Sequence, residues 1–321
     1  VCLSHNTELT MSQYKVRNWS QYNESLKKRG SLSLWISEDA INKWRPSKDP
    51  NFIGAPQQYS DDAILCMMAL KVVYKMPYRQ LVGFLLSIFA FMKVVLKVPH
   101  FTTVAARAKL LGKHFKKLSK SSPTDLVFDS SGFKIYGEGE WKVRQHGKQK
   151  RRRWKKFHIG VCPQTHEIIV AEVTELETAD CEVGPRLMKK APKSVKRTIG
   201  DGAYDTWDCY KEAYEKGQKL IVPPREGAVF NEEEEPWQKA RNDAICQIIG
   251  LGNDEEAIKL WKRLVGYHDR SLVETAFSRF KGIFGPRLFS RSVDNQEVEL
   301  KLKAYVLNEM TKQGMPSGVM I

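Results

Sequence analysis

No two of the six cysteines, Cys2, Cys66, Cys162, Cys181, Cys209 and Cys246, form a C-x-x-C pair. That argues against a zinc knuckle, and their wide, irregular spacing suits reduced, mostly buried thiols in a cytosol. His146, His158, His166 and His268 show no paired metal-ligand spacing either. No hydrophobic run is long enough to span a bilayer. The most apolar stretch, LVGFLLSIFAFM at 81–92, is followed by Lys93 and Lys97 and suits a buried helix. The opening VCLSHNTELT lacks the charged start and apolar block of a signal peptide, and Met11 is a candidate start. No internal repeat is visible. Acids are scarce in the first third: residues 1–120 carry 19 Lys+Arg against 7 Asp+Glu, a net of +12. The other 201 residues carry 33 against 30, a net of +3, which completes the total of +15. Such a surplus implies a polyanionic partner, nucleic acid or an acidic membrane.

What is present begins with a polar, basic segment at 1–58, rich in Trp, Tyr, Lys and Arg over 11–58, which reads as a partly ordered arm. From Tyr59 the pattern is helical. Ser60 is a candidate N-cap before DDAILCMMALKVVY, Pro77 starts a second helix, and Pro99 ends that region. Thr102 or Thr103 can cap a third helix running to about residue 118. On it Lys109, Lys113, Lys116, Lys117 and Lys120 recur at helical spacing and form one basic stripe. Three short helices with a basic last one fit a helix-turn-helix laid on DNA over residues 59–120. A lysine-coated, solvated face fits the stripe equally well, and the +12 tips the balance towards DNA.

Strand signals start at residue 125. LVFD (126–129) is apolar and ends in an acid, and Ser130-Ser131-Gly132 reads as a turn before FKIYG. FHIGVCP (157–163) and EIIVAEVT (167–174) follow, then a short helix in CEVGPRLMKKA. VKRTIGD (195–201) is a fourth strand, again ending in an acid. A helix in TWDCYKEAYEKG and a strand in KLIVPP complete an α/β layered order.

Three acids share a logic. Asp129 and Asp201 end strands, and Glu274 lies on a late helix, so all three can meet at one sheet edge. Clustered carboxylates repel, and a cation compensates them; oxygen-only ligands select hard ions such as Mg²⁺ or Mn²⁺. Two ions about 3.5–4 Å apart can activate water and stabilise a leaving oxygen in phosphoryl transfer. Either aspartate alone is better read as a turn cap. The three together, beside Arg270 and Lys281, favour a metal site.

The late helix supports this. Val273, Ala276, Phe277, Phe280 and Phe284 recur on one face, and Arg270, Glu274 and Lys281 fall within about 40° of one another beside it. Tyr267 joins them one turn earlier. Arg270 can grip a phosphate bidentately, Lys281 can act as a point charge, and Tyr267 can bond a phosphate oxygen. Charges at this spacing also suit a solvated face.

Tyr267, Arg270, Glu274 and Lys281 match the Y-x2-R-x3-E-x6-K signature without a gap, and here the sequence resembles bacterial insertion-sequence transposases with a DDE site. IGDGAYD, GYHDRSLVETAFSRFKGIFG and NWSQYNESLKKRGSLSLWI resemble the insertion-sequence family numbered five, and the likeness runs from about Asn18 to Met310. The resemblance implies an RNase H-like catalytic core over 121–314, followed by a tail at 315–321. It implies Asp129, Asp201 and Glu274 as a triad binding Mg²⁺, with Mn²⁺ able to substitute. Tyr267, Arg270 and Lys281 would contact the transposon end. The 72 residues between Asp201 and Glu274 exceed what a bare core needs, so about 225–262, with its NEEEEP run, reads as an insertion. The cluster KQKRRRWKK at 148–156 has seven basic residues, among them Arg151, Arg152 and Arg153. It reads as a hairpin lying along DNA phosphates, with Trp154 packing on a sugar or base. Trp207 and Trp237 are better read as core than as base-stacking residues. The function implied is binding of terminal inverted repeats, cleavage, and joining of 3′ ends to target DNA by a homodimer or larger assembly. The expected location is a bacterial cytoplasm, at the nucleoid. The alternatives are a non-joining nuclease on the same core and an inactive DNA-binding regulator of the element.

Overall fold

Large buried aromatics, more than polarity, decide the shape of the amino-terminal region. The structure is a computed structural model that describes residues 14–46, 57–135, 154–231 and 235–320. Strand β1 (Tyr14–Val16) leads into helices α1 (Trp19–Arg29), α2 (Leu32–Trp35) and α3 (Glu38–Asn42). A partly ordered arm was the expectation here. Residues 14–46 are instead mostly helical, because Trp35, Ile36 and Trp44 are buried in the main core. The Trp44 indole donates to the Lys97 carbonyl at 2.9 Å.

Helix α4 (Asp61–Val73) starts where expected, with the Ser60 hydroxyl accepting from the Ala63 N–H at 3.0 Å. Helix α5 (Tyr78–Phe91) follows Pro77 and carries the apolar run. Helix α6 (Phe101–Ala108) is half the expected length; its N-cap position is His100, not Thr102 or Thr103, and the Thr102 hydroxyl bonds the His100 ring at 2.8 Å. Residues Lys109–Lys116 wind as a 3₁₀ segment. Lys117, just beyond it, is in extended backbone, so the continuous α-helix on which the single basic stripe was expected does not form. That segment packs inwards through Leu111 and Phe115, both buried.

The central sheet contains β2 (Asp125–Ile135), β3 (Trp154–Val161), β4 (Ile168–Glu175), β5 (Arg197–Ile199) and β6 (Lys219–Ile221). Helix α7 (Asp180–Lys190) links β4 to β5, and α8 (Trp207–Glu215) links β5 to β6. The strand order is β4-β3-β2-β5-β6; β4, β3 and β2 are antiparallel, and β2, β5 and β6 are parallel. The segment that reads as an insertion contains two helices, α9 (Lys239–Gly250) and α10 (Glu255–Leu264). Helix α11 (Ser271–Phe284), strand β7 (Arg287–Leu288), helix α12 (Val293–Lys312) and strand β8 (Gly318–Met320) complete the chain. Strand β8 pairs with β1, so the segment expected as a tail forms a two-stranded ribbon with the first strand.

Side chains alternate along β2 and divide the core. Leu126 and Phe128 join the cluster with α7 and α8, while Val127 and Phe133 join the larger cluster with α11 and α12. A mixed sheet flanked by helices, three antiparallel strands followed by two parallel ones, is an RNase H-like fold. Ser130-Ser131-Gly132, expected as a turn, is continuous strand. Pairing of Ser130 with His158, Ser131 with Phe157 and Gly132 with Lys156 holds it extended.

Candidate active site

The register of the sheet brings Asp129 and Asp201 together. The last parallel pair between β2 and β5 is Val127 with Ile199, and each acid lies two residues further along the chain: Asp201 just beyond β5, and Asp129 inside β2 rather than at the strand end expected, because pairing with β3 carries the strand on. The other edge of β2 is taken by β3, but on the β5 side pairing stops at Val127 and resumes only at Lys134 with β7. The acids therefore sit at an opening in the sheet. Beyond β5 the chain turns through a 3₁₀ segment, Gly202–Tyr204, with the Asp201 carboxylate accepting from the Ala203 N–H at 2.9 Å. So Asp201 does cap a turn, and its other oxygen faces the opening. Tyr204 anchors that turn in the core; its ring lies so close to Gly200 that a Cβ there would come within 2.7 Å.

Helix α11 supplies the third acid. Phe280 packs on Phe133 and Phe157, with ring centroids 5.2 and 5.6 Å apart. Lys281 donates to the Ser131 hydroxyl at 2.6 Å and lies over the Phe133 ring. Glu274 is two helical turns from Lys281, about 10.5 Å along the axis. Arg270 closes the gap. Its guanidinium is 2.6 Å from Glu274 Oε1, 3.9 Å from Asp129 Oδ2 and 4.0 Å from Asp201 Oδ2.

Three acids from three elements thus face one cation. Among the described residues no three carboxylate, histidine or cysteine side chains stand close enough as placed to share a metal ion. The guanidinium between the acids is wider than an ion.

Burial raises the Asp129 pKa, helped by Asp201 and Asp180 and opposed by the Ser130 N–H and Arg270. Burial works against the Arg270 charge, but Tyr267 and the three carboxylates outweigh it and hold its pKa above the ordinary value. Burial pushes the half-buried Tyr267 phenol up to about 12, so it remains a hydrogen-bond donor at neutral pH.

Tyr267 and Arg270 lie on a 3₁₀ turn, Tyr267–Arg270, rather than on the first turn of α11. Gly266 enters it with φ +71°, and a Cβ there would meet the Arg197 guanidinium at 3.0 Å. Arg197 holds this turn to the sheet, bonding Asp125 at 2.9 Å and Asp269 at 3.0 Å. His268 is exposed beside Asp269.

Of the other expected DNA contacts, Arg151, Arg152 and Arg153 lie outside the described residues. Trp154, Lys155 and Lys156 belong to β3, where Lys155 is buried against Glu175 and Lys156 pairs with Asp180 at 3.0 Å. That end of the basic cluster is spent inside the fold. Lys109 and Lys117 are exposed at the ends of the 3₁₀ segment. Trp207 and Trp237 pack edge to face, with centroids 5.4 Å apart.

Sequence reasoning missed Asp180. It stands at the start of α7 with Lys156 and the fully buried His158, whose ring is 3.2 Å away. Burial opposes its charge, but His158, Ser130 and Lys156 bring its pKa down to about 2. Ser130 also donates its N–H to Asp129 at 2.7 Å, so Asp180 borders the site through that residue. Its spacing from Asp129 carries no periodic signal.

Residues 120–308, more than half of the chain, match the family described as "Transposase DDE domain", and residues 27–138 match a second family of the same description. A solved structure, the cryo-EM structure of piggyBac transposase synaptic complex with hairpin DNA, matches 93% of this chain and 76% of that chain, with 11% identity and a TM-score of 0.41. The family defines a DNA-cleaving and DNA-transferring enzyme. The chain belongs to the Transposase DDE domain family and is a DDE transposase.

Proposed function

We propose that this transposase binds the terminal inverted repeats of its own insertion sequence, cuts at their ends and joins the 3′ ends to target DNA, with Asp129, Asp201 and Glu274 as the catalytic, metal-binding acids. The observation that carries this reading is the convergence of those three carboxylates on the Arg270 guanidinium at the opening of the sheet. In kind the donor set suits a hard divalent ion, since it is oxygen-only; as placed the acids surround the Arg270 guanidinium, and they share an ion only once that group leaves and they close in. Mg²⁺, or Mn²⁺ in its place, supplies activation of the attacking oxygen and stabilisation of the leaving oxygen when bound, most simply as a pair of ions.

The chain's own residues do the rest. The acids hold charge at the opening of the sheet, and the reaction needs no covalent protein intermediate. Arg270, once released from them, is free to grip a DNA phosphate, and Tyr267 donates to a phosphate oxygen from its protonated phenol. Lys281, fixed over Ser131, adds a point charge beside Asp129. Lys109, Lys113 and Lys117, with Arg151, Arg152 and Arg153, contribute positive charge for the duplex outside the site. Bringing two ends together calls for a homodimer or larger assembly. The expected location is the bacterial cytoplasm, at the nucleoid; no helix among the described residues is long and apolar enough to cross a membrane.

The test is Mg²⁺-dependent cleavage of DNA carrying the gene's own flanks, wild type beside Glu274→Gln. Nicks at the element ends with joined products, lost in the variant, support the proposal. Nicks without joining give a plain nuclease. Specific binding with no cleavage in Mg²⁺ or Mn²⁺ gives an inactive regulator.

A further inference from the structure

Two features remain without a task in that site: Asp205, the second aspartate of GDGAYD, and the helical insertion between β6 and α11. The structure joins them. The Asp205 side chain is fully buried and receives Arg241 of α9 on both oxygens, at 2.8 and 3.2 Å. The Arg225 backbone N–H adds a third bond to Asp205 at 2.9 Å. The Arg225 side chain reaches the other way, to the carbonyls of Gly202 and Ala203 at 3.2 and 3.1 Å. Those two residues follow Asp201 directly.

Within the turn, the Tyr204 N–H donates to the Asp201 carbonyl, the Ala203 N–H to the Asp201 carboxylate, and the Asp205 N–H to the Gly202 carbonyl. From Arg241 to the Asp201 carboxylate, every link is a hydrogen bond or a short stretch of this turn. The far end of the insertion, α10, runs into the turn that carries Tyr267 and Arg270, and Lys262 lies over the Tyr267 ring at 5.5 Å. The insertion therefore touches both sides of the site.

We propose that the insertion is a strut for the active site, and that Arg241 is a positioning residue that fixes Asp201 through Asp205. The proposal rests on the reading of Asp201 as a metal ligand. A buried carboxylate with a bidentate arginine is costly to break from one side, because the remaining charge is left uncompensated. A lysine at 241 keeps the charge and removes only the planar fork, so it tests position rather than folding.

The experiment uses the full-length protein without DNA or turnover. Mn²⁺ affinity is measured from the free-ion paramagnetic resonance signal, amide exchange of residues 201–205 by mass spectrometry, and thermal midpoints in parallel. Asp201→Asn should abolish the affinity. Arg241→Lys should weaken it about tenfold, and Arg225→Gln, at an exposed side chain, by a few-fold, as expected when groups behind a ligand are removed. Exchange in the turn should quicken in both, while the dissociation constant for an end duplex stays within about twofold, since DNA is gripped elsewhere. A lower midpoint with unchanged Mn²⁺ affinity and exchange in both variants overturns the proposal. Loss of duplex binding as the only change overturns it as well and makes the insertion a DNA-contacting module. If Arg241→Lys does not fold, Arg225→Gln decides. If Asp201→Asn binds Mn²⁺ as the wild type does, the metal reading fails, while turn exchange still tests the strut.

Discussion

Arg270 holds two roles that exclude each other. Its guanidinium stands between Asp129, Asp201 and Glu274, where a divalent ion is proposed to bind, and the same group is proposed to grip DNA phosphate. A unit charge 4 Å away is worth about 4 kcal/mol at an effective dielectric of 20 and about 1 kcal/mol in water. The side chains are part-exposed, so the lower end of that range applies. Arg270→Gln is therefore expected to bind Mn²⁺ about tenfold more tightly than the wild type and to bind an end duplex more weakly. The pH dependence follows from Asp129. Burial raises its pKa, so protons compete with metal from above the ordinary carboxylate range, and affinity falls as pH falls through that raised value. Arg270 is one of the groups that lower this pKa, so in Arg270→Gln the fall begins at higher pH. Calorimetric titration of Mn²⁺ across pH reads both effects, and equal affinities in the two proteins sink the competition.

At the scale of elements, α11 is the part that must not move. Phe280 is fully buried between Phe133, Phe157 and Phe284, and it fixes the height at which Glu274 meets the sheet. Phe280→Ala should cost about 3–5 kcal/mol in denaturant unfolding, with loss of cleavage; a cost below about 1 kcal/mol contradicts that packing. This helix was legible in the sequence because its apolar residues recur at the helical period and each one packs as the period demands. Asp201 was legible as an acid just beyond a strand, but Asp129, expected at a strand end, lies inside β2, which runs on to Ile135. What was not legible depends on partners far along the chain. Ser130–Gly132 carries turn residues, yet β3 holds it extended. The polar run before residue 46 folds because Trp35 and Trp44 find a core. Lys109–Lys117 has helical spacing, but the chain tightens to 3₁₀ geometry as Phe115 packs near Tyr305 of α12. Asp205 and Arg241 are separated by 36 positions with no pattern between them.

On the scale of the whole molecule, charge and packing divide the chain differently. The charge surplus lies in the first 120 residues, but one hydrophobic cluster contains residues from both sides of that position. The 3₁₀ segment lies on α12, where a Cβ on Gly112 would touch Val298. The fully buried Asn308 of α12 ties the Leu118 carbonyl to the backbone of Ile168, with bonds of 3.2, 2.8 and 2.8 Å. The ends are joined too: Asn18 bonds the backbone of Met315 and Ser317, and β1 pairs with β8. A chain cut at 120 takes the Leu118 carbonyl from Asn308, which keeps only Ile168, and uncovers the inner face of α12; a buried donor left without its acceptor is costly. The fragment 121–321 should therefore show no cooperative thermal transition, whereas the full chain unfolds in one. A fragment with its own sharp transition would mean that DNA binding and catalysis are carried by separable bodies; without it, the basic first third is part of the scaffold that holds the acids, and charge substitutions on its surface are the way to separate the two functions.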